Sequence, residues 1–300
     1  MAMVACSSKD DTATNFETNK TIEIATSINS LKTRAIDGDN LQDSHFNDGA
    51  QINVYLTKNG TTDKIDNLTN DYVTYTFSRS NFKWTPNVEG LKYPSDGTGV
   101  DAFGIYPATV TKATDTFEVE YDQYEGNANY LKSDLMYAYT ENTTAIENPI
   151  TLKFNHCLTK VTLKILPSAG MTKEEITSNI ADVCIENVKI QADLSFSNNK
   201  ITATAKGEAN TSIVIANANN FTTEGVSGII IPQTIPSGTK LFYIDTDSQS
   251  YYFTTEESIT FEAGKEYIFT ITLGDSGMTI YSYWINDWTP VQKTGTAKPE

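Results

Sequence analysis

Ile150-Thr151-Leu152-Lys153-Phe154-Asn155-His156-Cys157-Leu158 decides how this sequence is read. Leu152, Phe154, His156 and Leu158 share one face of an extended chain, with Lys153 and Asn155 on the other. That period of two marks a strand buried on one side. The apolar row then slips by one residue, to Val161, Leu163 and Ile165, the pattern of a β-bulge inside one long strand. Working outward, the same alternation returns on both sides. Ile22, Ile24 and Ile28 take even positions with Thr26 between them, and Ile52, Val54 and Leu56 line one face of 50–56. Stretches 72–77, 101–107 and 135–139 are further strands, the second stopped by Pro107. Asn59-Gly60 marks a hairpin turn, because both residues tolerate positive φ. Downstream, 183–190, 213–215, 228–231, 240–244, 251–254, 259–261, 267–273 and 279–285 are strand-like. One stretch, 171–180, reads as helix, with Thr172 at the N-cap and Glu175 three residues later.

Strands and turn signals at short spacing predict an all-β chain of two antiparallel β-sandwich domains, not βαβ units. The length of 300 residues suits two domains. Residues 1–19 form a polar leader and tether, 20–149 the first sandwich and 150–300 the second, divided near Asn148-Pro149. Composition agrees: aromatics are 11%, with sixteen Tyr against three Trp, and Thr, Ile and Val recur. Branched and aromatic side chains pack well on a pleated surface. Lys plus Arg total 22 and Asp plus Glu 38, so the net charge is 22 − 38 = −16. Phosphate is repelled by such a surface, which argues against nucleic acid and anionic lipid as partners. No apolar run reaches the roughly 18–20 residues of a membrane-spanning helix.

Catalytic patterns are absent from the sequence. It contains no Gly-x-Ser-x-Gly, no His-Glu-x-x-His, no phosphate-cradling glycine loop and no Cys-x-x-Cys. Asp37-Gly38-Asp39-Asn40 and Asp245-Thr246-Asp247 lack the spacing of a calcium loop and read as turns, so no metal or cofactor is expected. His156 lies on an apolar strand face with no second histidine near it in sequence, as a hydrogen-bonded core or interface histidine would. Cys157 and Cys184 are either a pair or two buried thiols. Trp84 with Tyr93, and Trp284 with Trp288, are either packing residues or stacking platforms for sugars. Many Asp and Glu are available for a glycosidase pair, but nothing singles one out.

The start, Met1-Ala2-Met3-Val4-Ala5-Cys6, reads as the tail of a bacterial lipoprotein signal, with Cys6 as the acylated residue. The usual apolar stretch before such a cysteine is missing. Ser7-Ser8-Lys9-Asp10-Asp11 is similar to the acidic tag of surface-exported lipoproteins, and Asp11-Thr12-Ala13 to a short O-glycosylation acceptor.

Taken in order, several pieces resemble the fimbrillins, the pilins of type V pili, within the broader group called Mfa-like. Leu152 to Val161 resembles the Phe-x-His-x-Leu-x-Lys-Val strand of that family. Asp101-Ala-Phe-Gly-Ile-Tyr106-Pro107, Asp134-Leu-Met-Tyr137-Ala138, Ile230-Ile231-Pro232-Gln233-Thr234, Ala263-Gly264-Lys265-x-Tyr267 and Ile285-Asn-Asp-Trp288 follow in the family's order. The resemblance implies two tandem transthyretin-like sandwiches and a non-enzymatic pilus subunit (stalk, tip or accessory) at the outer membrane. Its implied partners are other pilin subunits and a host or bacterial surface glycan or protein. It also implies cleavage by an Arg-specific protease, for which Arg34-Ala35 is placed just after the strand of Ile22, Ile24 and Ile28. Removing that strand would open a groove for a strand from the next subunit. The segment 279–288, with Ile280, Trp284 and Trp288 alternating on one face, is the candidate donor strand or its folded-back equivalent. The competing expectation is a surface glycan-binding lipoprotein that uses exposed aromatics.

Overall fold

Along Ile150–His156 the alternation of residue types becomes an alternation of burial: Ile150, Leu152, Phe154 and His156 are buried while Thr151 and Lys153 are exposed. The computed structural model describes residues 20–29, 45–65, 71–124, 128–144, 147–167, 172–247, 249–274 and 277–288. In the first half these form β1 (Ile24–Ile28), β2 (Gln51–Lys58), β3 (Val73–Ser78), β4 (Lys83–Pro86), β5 (Val100–Tyr106), β6 (Thr116–Glu118), the short helix α1 (Ala128–Ser133), β7 (Met136–Thr143) and β8 (Ile150–His156). There follow β9 (Thr159–Pro167), helix α2 (Lys173–Asn179), β10 (Ile180–Val188), β11 (Gln191–Ser197), β12 (Lys200–Lys206) and β13 (Thr211–Asn217). The rest are β14 (Val226–Ile230), β15 (Gln233–Ile235), β16 (Lys240–Thr246), β17 (Ser250–Thr254), β18 (Ile259–Phe261), β19 (Lys265–Gly274) and β20 (Gly277–Asp287). The fold is all-β, as the sequence predicts.

Seven strands make one sheet in the order β1-β8-β7-β5-β2-β3-β4. Its neighbours are antiparallel except β1, which runs parallel to β8. The sheet curls until its two ends meet: Thr21 bridges Lys92, and Trp84 Nε1 on β4 donates to Thr26 Oγ1 on β1 at 3.0 Å. One face packs around Phe46, whose ring lies 5.1 Å from both Trp84 and Phe154. Gly104 on β5 has no substitute there, since a Cβ would stand 2.8 Å from the Phe154 ring. The other face, with Tyr55, Phe103 and Ile105, joins the core of the second half.

In the second half, sheet β13-β10-β16-β17 faces sheet β14-β9-β19-β20, with Phe242 against Phe269 at 4.9 Å. A second parallel pair occurs here, β9 with β19. Helix α2 begins at Thr172, whose side chain accepts the Glu175 N–H while Glu175 returns the bond to the cap, the capping box expected from the sequence.

Three expectations are corrected. The slip after Leu158 is not a bulge: the chain leaves the first sheet after β8 and enters another with β9, and the apolar row restarts because the buried face belongs to a different core. A division at 149/150 would therefore cut β8 out of its sheet; the crossing lies at Cys157-Leu158. The halves are also not two separate antiparallel units. Thr116–Glu118, early in the sequence, pairs as β6 with β11 of the second half, and Gln123 bonds both the N–H and the C=O of Ile229 at 2.8 and 3.0 Å. The hairpin β11–β12, the short strands β4, β6 and β15, and helix α1 were not visible as periodic runs.

Candidate assembly site

The apolar residues of β1 lie where the alternation put them. Ile22, Ile24 and Ile28 are 2%, 6% and 7% exposed, inside the core around Phe46. Each such burial contributes about 1.5–3 kcal/mol before conformational entropy is charged against it. The backbone is held at both ends of the strand. Ile150 N–H donates to Glu23 C=O at 2.8 Å, and Asn29 N–H to Phe154 C=O at 2.9 Å. Ahead of the strand, Ile22 N–H reaches Leu91 C=O at 2.7 Å and Tyr93 N–H reaches Lys20 C=O at 3.1 Å. Two asparagines complete the grip: Asn148 Oδ1 accepts the Glu23 N–H, and Asn29 Nδ2 donates to Asn155 Oδ1, both at 2.8 Å. Along 24–28 no strand ladder joins β1 to β4 among the described residues, and the Thr26–Trp84 bond is the polar link across that seam.

At the other end of the chain, β20 is the edge strand of its sheet, antiparallel to β19 from Lys265↔Asp287 to Gly274↔Gly277. A register shift sets Ile280 opposite Ile271 but Ser282 opposite Thr270, leaving Tyr281 as the extra residue. In the backbone register Ile280 pairs with Ile271 and Trp284 with Ile268. The register of the segment that carries Ile280, Trp284 and Trp288 is thus interrupted once, between Ile280 and Ser282. Trp288, just past the strand, is 3% exposed. Its ring stacks on His156 with centroids 3.8 Å apart and planes 6° apart. The backbone N–H of Trp288 donates to Gly264 C=O at 2.7 Å, and Gly264 N–H to Leu158 C=O at 2.8 Å.

His156 closes β8, and its Nδ1 lies 2.7 Å from Asp134 Oδ1, with both side chains buried. Asp134 is the partner that sequence reasoning missed; it lies on a loop 22 residues away, where no spacing rule points. His156 Nε2 and Trp288 Nε1 are buried without a hydrogen-bond partner among the described residues. Strand β8 thus carries β1 along one edge and holds Trp288 at its end.

The other candidate residues are placed as follows. Trp84 and Tyr93 are 8% and 2% exposed, so they are core residues and present no platform to a sugar. Burial pushes the Tyr75 and Tyr93 hydroxyls up to about 12. Cys157 and Cys184 are buried free thiols; burial raises both, Cys184 to about 11, which leaves neither reactive. Asp245 takes part in the β10–β16 ladder and accepts the Ser250 hydroxyl at 2.7 Å. No group of three or more His, Cys, Asp or Glu able to hold a metal occurs among the described residues. Nor is any helix among them long and apolar enough to cross a membrane. Cys6, Asp11-Thr12-Ala13, Arg34, Ala35 and Asp37–Asn40 lie outside the described residues.

Solved structures share this fold. A candidate cell adhesion protein of Bacteroides uniformis matches with a TM-score of 0.67 and 21% identity, over 90% of this chain and 99% of that one. Another, of Bacteroides ovatus, matches with a TM-score of 0.68 and 21% identity, over 92% and 99%. A fimbrial protein of Bacteroides vulgatus matches with a TM-score of 0.50 and 15% identity, over 90% of this chain and all of that one. No curated protein matches the sequence. A sequence profile described as fimbrillin-like matches residues 33–288, which takes in every strand from β2 to β20 and the buried His156 and Trp288. The chain belongs to the fimbrillin-like family.

Proposed function

We propose that this chain is a non-enzymatic structural subunit of a cell-surface pilus that contributes to adhesion and assembles by strand exchange. In this reading it is built as two transthyretin-like sandwiches and anchored to the outer membrane through an acylated Cys6. An Arg-specific protease cuts between Arg34 and Ala35, and β1 leaves with the released segment. The observation that carries the proposal is the position of β1. It is a short, parallel edge strand whose two isoleucines, with Ile22 just ahead of it, fill a groove beside Phe46 and Phe154. Once it is gone, the β8 edge has unpaired N–H and C=O groups next to an apolar slot. An extended segment of another subunit satisfies both, with ladder bonds supplying affinity and alternate side chains entering the slot.

The incoming segment in this proposal is 279–288 or its equivalent. Strand β20 must first separate from β19. Its release is eased by the two orphaned ring nitrogens at the His156–Trp288 contact, which water would satisfy. Each such buried group costs about 1–3 kcal/mol while it stays dry.

The test is digestion of the full chain with an Arg-specific protease, N-terminal sequencing, and electron microscopy of the product. A new N-terminus at Ala35 with filaments is expected, and Arg34→Ala should remain monomeric. Filaments from the Arg34→Ala protein, or cleavage at Arg34 with β1 lost and no assembly, would overturn the proposal.

A further inference from the structure

Four stretches far apart in sequence meet at one end of the first sheet and enclose a cleft of about 560 Å³. β2 contributes Thr57, and the turn after it Gly60, Thr61, Thr62 and Asp63; β5 and β7 contribute Asp101 and Tyr139; Asn199, from the tip of the β11–β12 hairpin, closes it from the second half. Small-molecule sites are commonly concave spaces of roughly 300–1,000 Å³ with a few convergent polar groups, often between structural units. Asp101 lies at the centre of this one. It is 5% exposed, and its Oδ2 accepts the Gly60 N–H at 2.9 Å and the Tyr139 hydroxyl at 3.2 Å. Asn199 lines the same cleft, so a carboxamide, a phenol and a carboxylate from the two halves face one space.

We infer that this cleft binds an uncharged, hydroxyl-rich ligand, a sugar unit of a glycan. The lining selects that class by chemistry. Asp63 and Asp101 repel anions. Threonine hydroxyls and the Asn199 carboxamide both donate and accept, as sugar hydroxyls do, while an ammonium group only donates and would leave their donors unmatched. Two bonds already made to Asp101 disperse its charge, which weakens its claim on a cation and leaves it suited to orient neutral hydroxyls. Apolar ligands find little to cover among these side chains. Bound across Asp101 and Asn199, a sugar would also tie the second-half hairpin to the first sheet.

The test uses the full chain, labelled with ¹⁵N, and methyl glycosides of mannose, galactose, glucose, fucose and N-acetylglucosamine as probes. At least one glycoside is expected to shift the amides of Gly60, Asp101 and Asn199, with a Kd on the order of 1 mM. Tyr139→Phe keeps the ring and removes the central hydroxyl, and should weaken that binding at least about fivefold. Asn199→Gly keeps the turn, since residue 199 has φ of 58°, and should weaken it similarly. Both variants must retain the wild-type amide pattern elsewhere. The inference is overturned if no glycoside moves these amides, if both variants bind as the parent does, or if calcium chloride alone produces the same shifts.

Discussion

The chain ends its two halves on edge strands of opposite character. β1 is five residues long and runs parallel to its neighbour, and Ile24 and Ile28, with Ile22 just ahead, secure it. β20 is eleven residues long, antiparallel to its neighbour over nearly its whole length, and fastened at its end by a buried tryptophan. A parallel ladder is slightly less stable per residue, and a short one has few rungs. Of the two, β1 is the strand that can leave on its own. Once a cut frees β1 from the chain that follows, its ladder is confined to Ile24–Ile28 on β8 and a bridge at Thr21. β20 must be unzipped rung by rung, and its last contact is with β8, the strand that also carries β1.

That shared neighbour gives the largest expected effect. Trp288→Ala removes a buried ring stacked on His156 and should cost about 3–5 kcal/mol, read as a lower midpoint in urea unfolding. Amide exchange should rise along β20 and at the end of β8, and with them at Ile28 and Asn29, whose partner residue is Phe154. If β20 and β8 loosen while β1 exchanges as before, the two edges are independent and the comparison loses its link through β8.

How much of this was legible follows from where each signal sits. Ile22, Ile24 and Ile28 could be placed because a one-sided strand writes its burial into a period of two. The same logic failed after Leu158, because a phase slip looks alike whether a strand bulges or the chain passes to another sheet; only pairing partners distinguish the two. Tyr281 shows the converse, a bulge inside β20 that sequence spacing concealed. β11 and β12 alternate Ala, Ser and Thr around Leu194, Phe196 and Ile201, an apolar contrast too shallow to stand out. Asp134 and Asn148 act through contacts 22 and 125 residues distant, and the cleft around Asp101 needs four distant stretches at once. Long-range polar pairing leaves no local period to detect.

The seam beside β1 offers a smaller and more local test. Thr26→Val keeps the shape of the side chain but leaves Trp84 Nε1 without its acceptor, and a buried donor without a partner costs about 1–3 kcal/mol. Protease release of β1 should quicken, whereas exchange along β20 should not change. Equal loss of protection in both strands would mean that the Trp84 contact supports the whole molecule and not the hold on β1 alone.

The smallest expected effect depends on pH and separates the halves by charge. Asp182 on β10 stands opposite Asp245 on β16, and its carboxyl is raised first by burial and then by the charges of Asp245 and Asp122. A raised carboxyl means that the folded state holds its proton more readily than the unfolded chain does. The repulsion therefore weakens the fold at neutral pH, and it is relieved as the pH falls through the folded value towards the unfolded one of about 3.9. Asp182→Asn should stabilise the protein at pH 7 by about 0.2–1 kcal/mol, near the lower end because solvent screens the pair. The gain should shrink as the pH is lowered towards 4, measured by urea unfolding across that range. β1, Ile-Ala-Thr-Ser-Ile, carries no titratable side chain, so its exchange, corrected for intrinsic rate, should not follow this change. A pH-independent gain from Asp182→Asn, or a β1 that tightens with it, would place the like-charge strain somewhere other than the β10–β16 ladder.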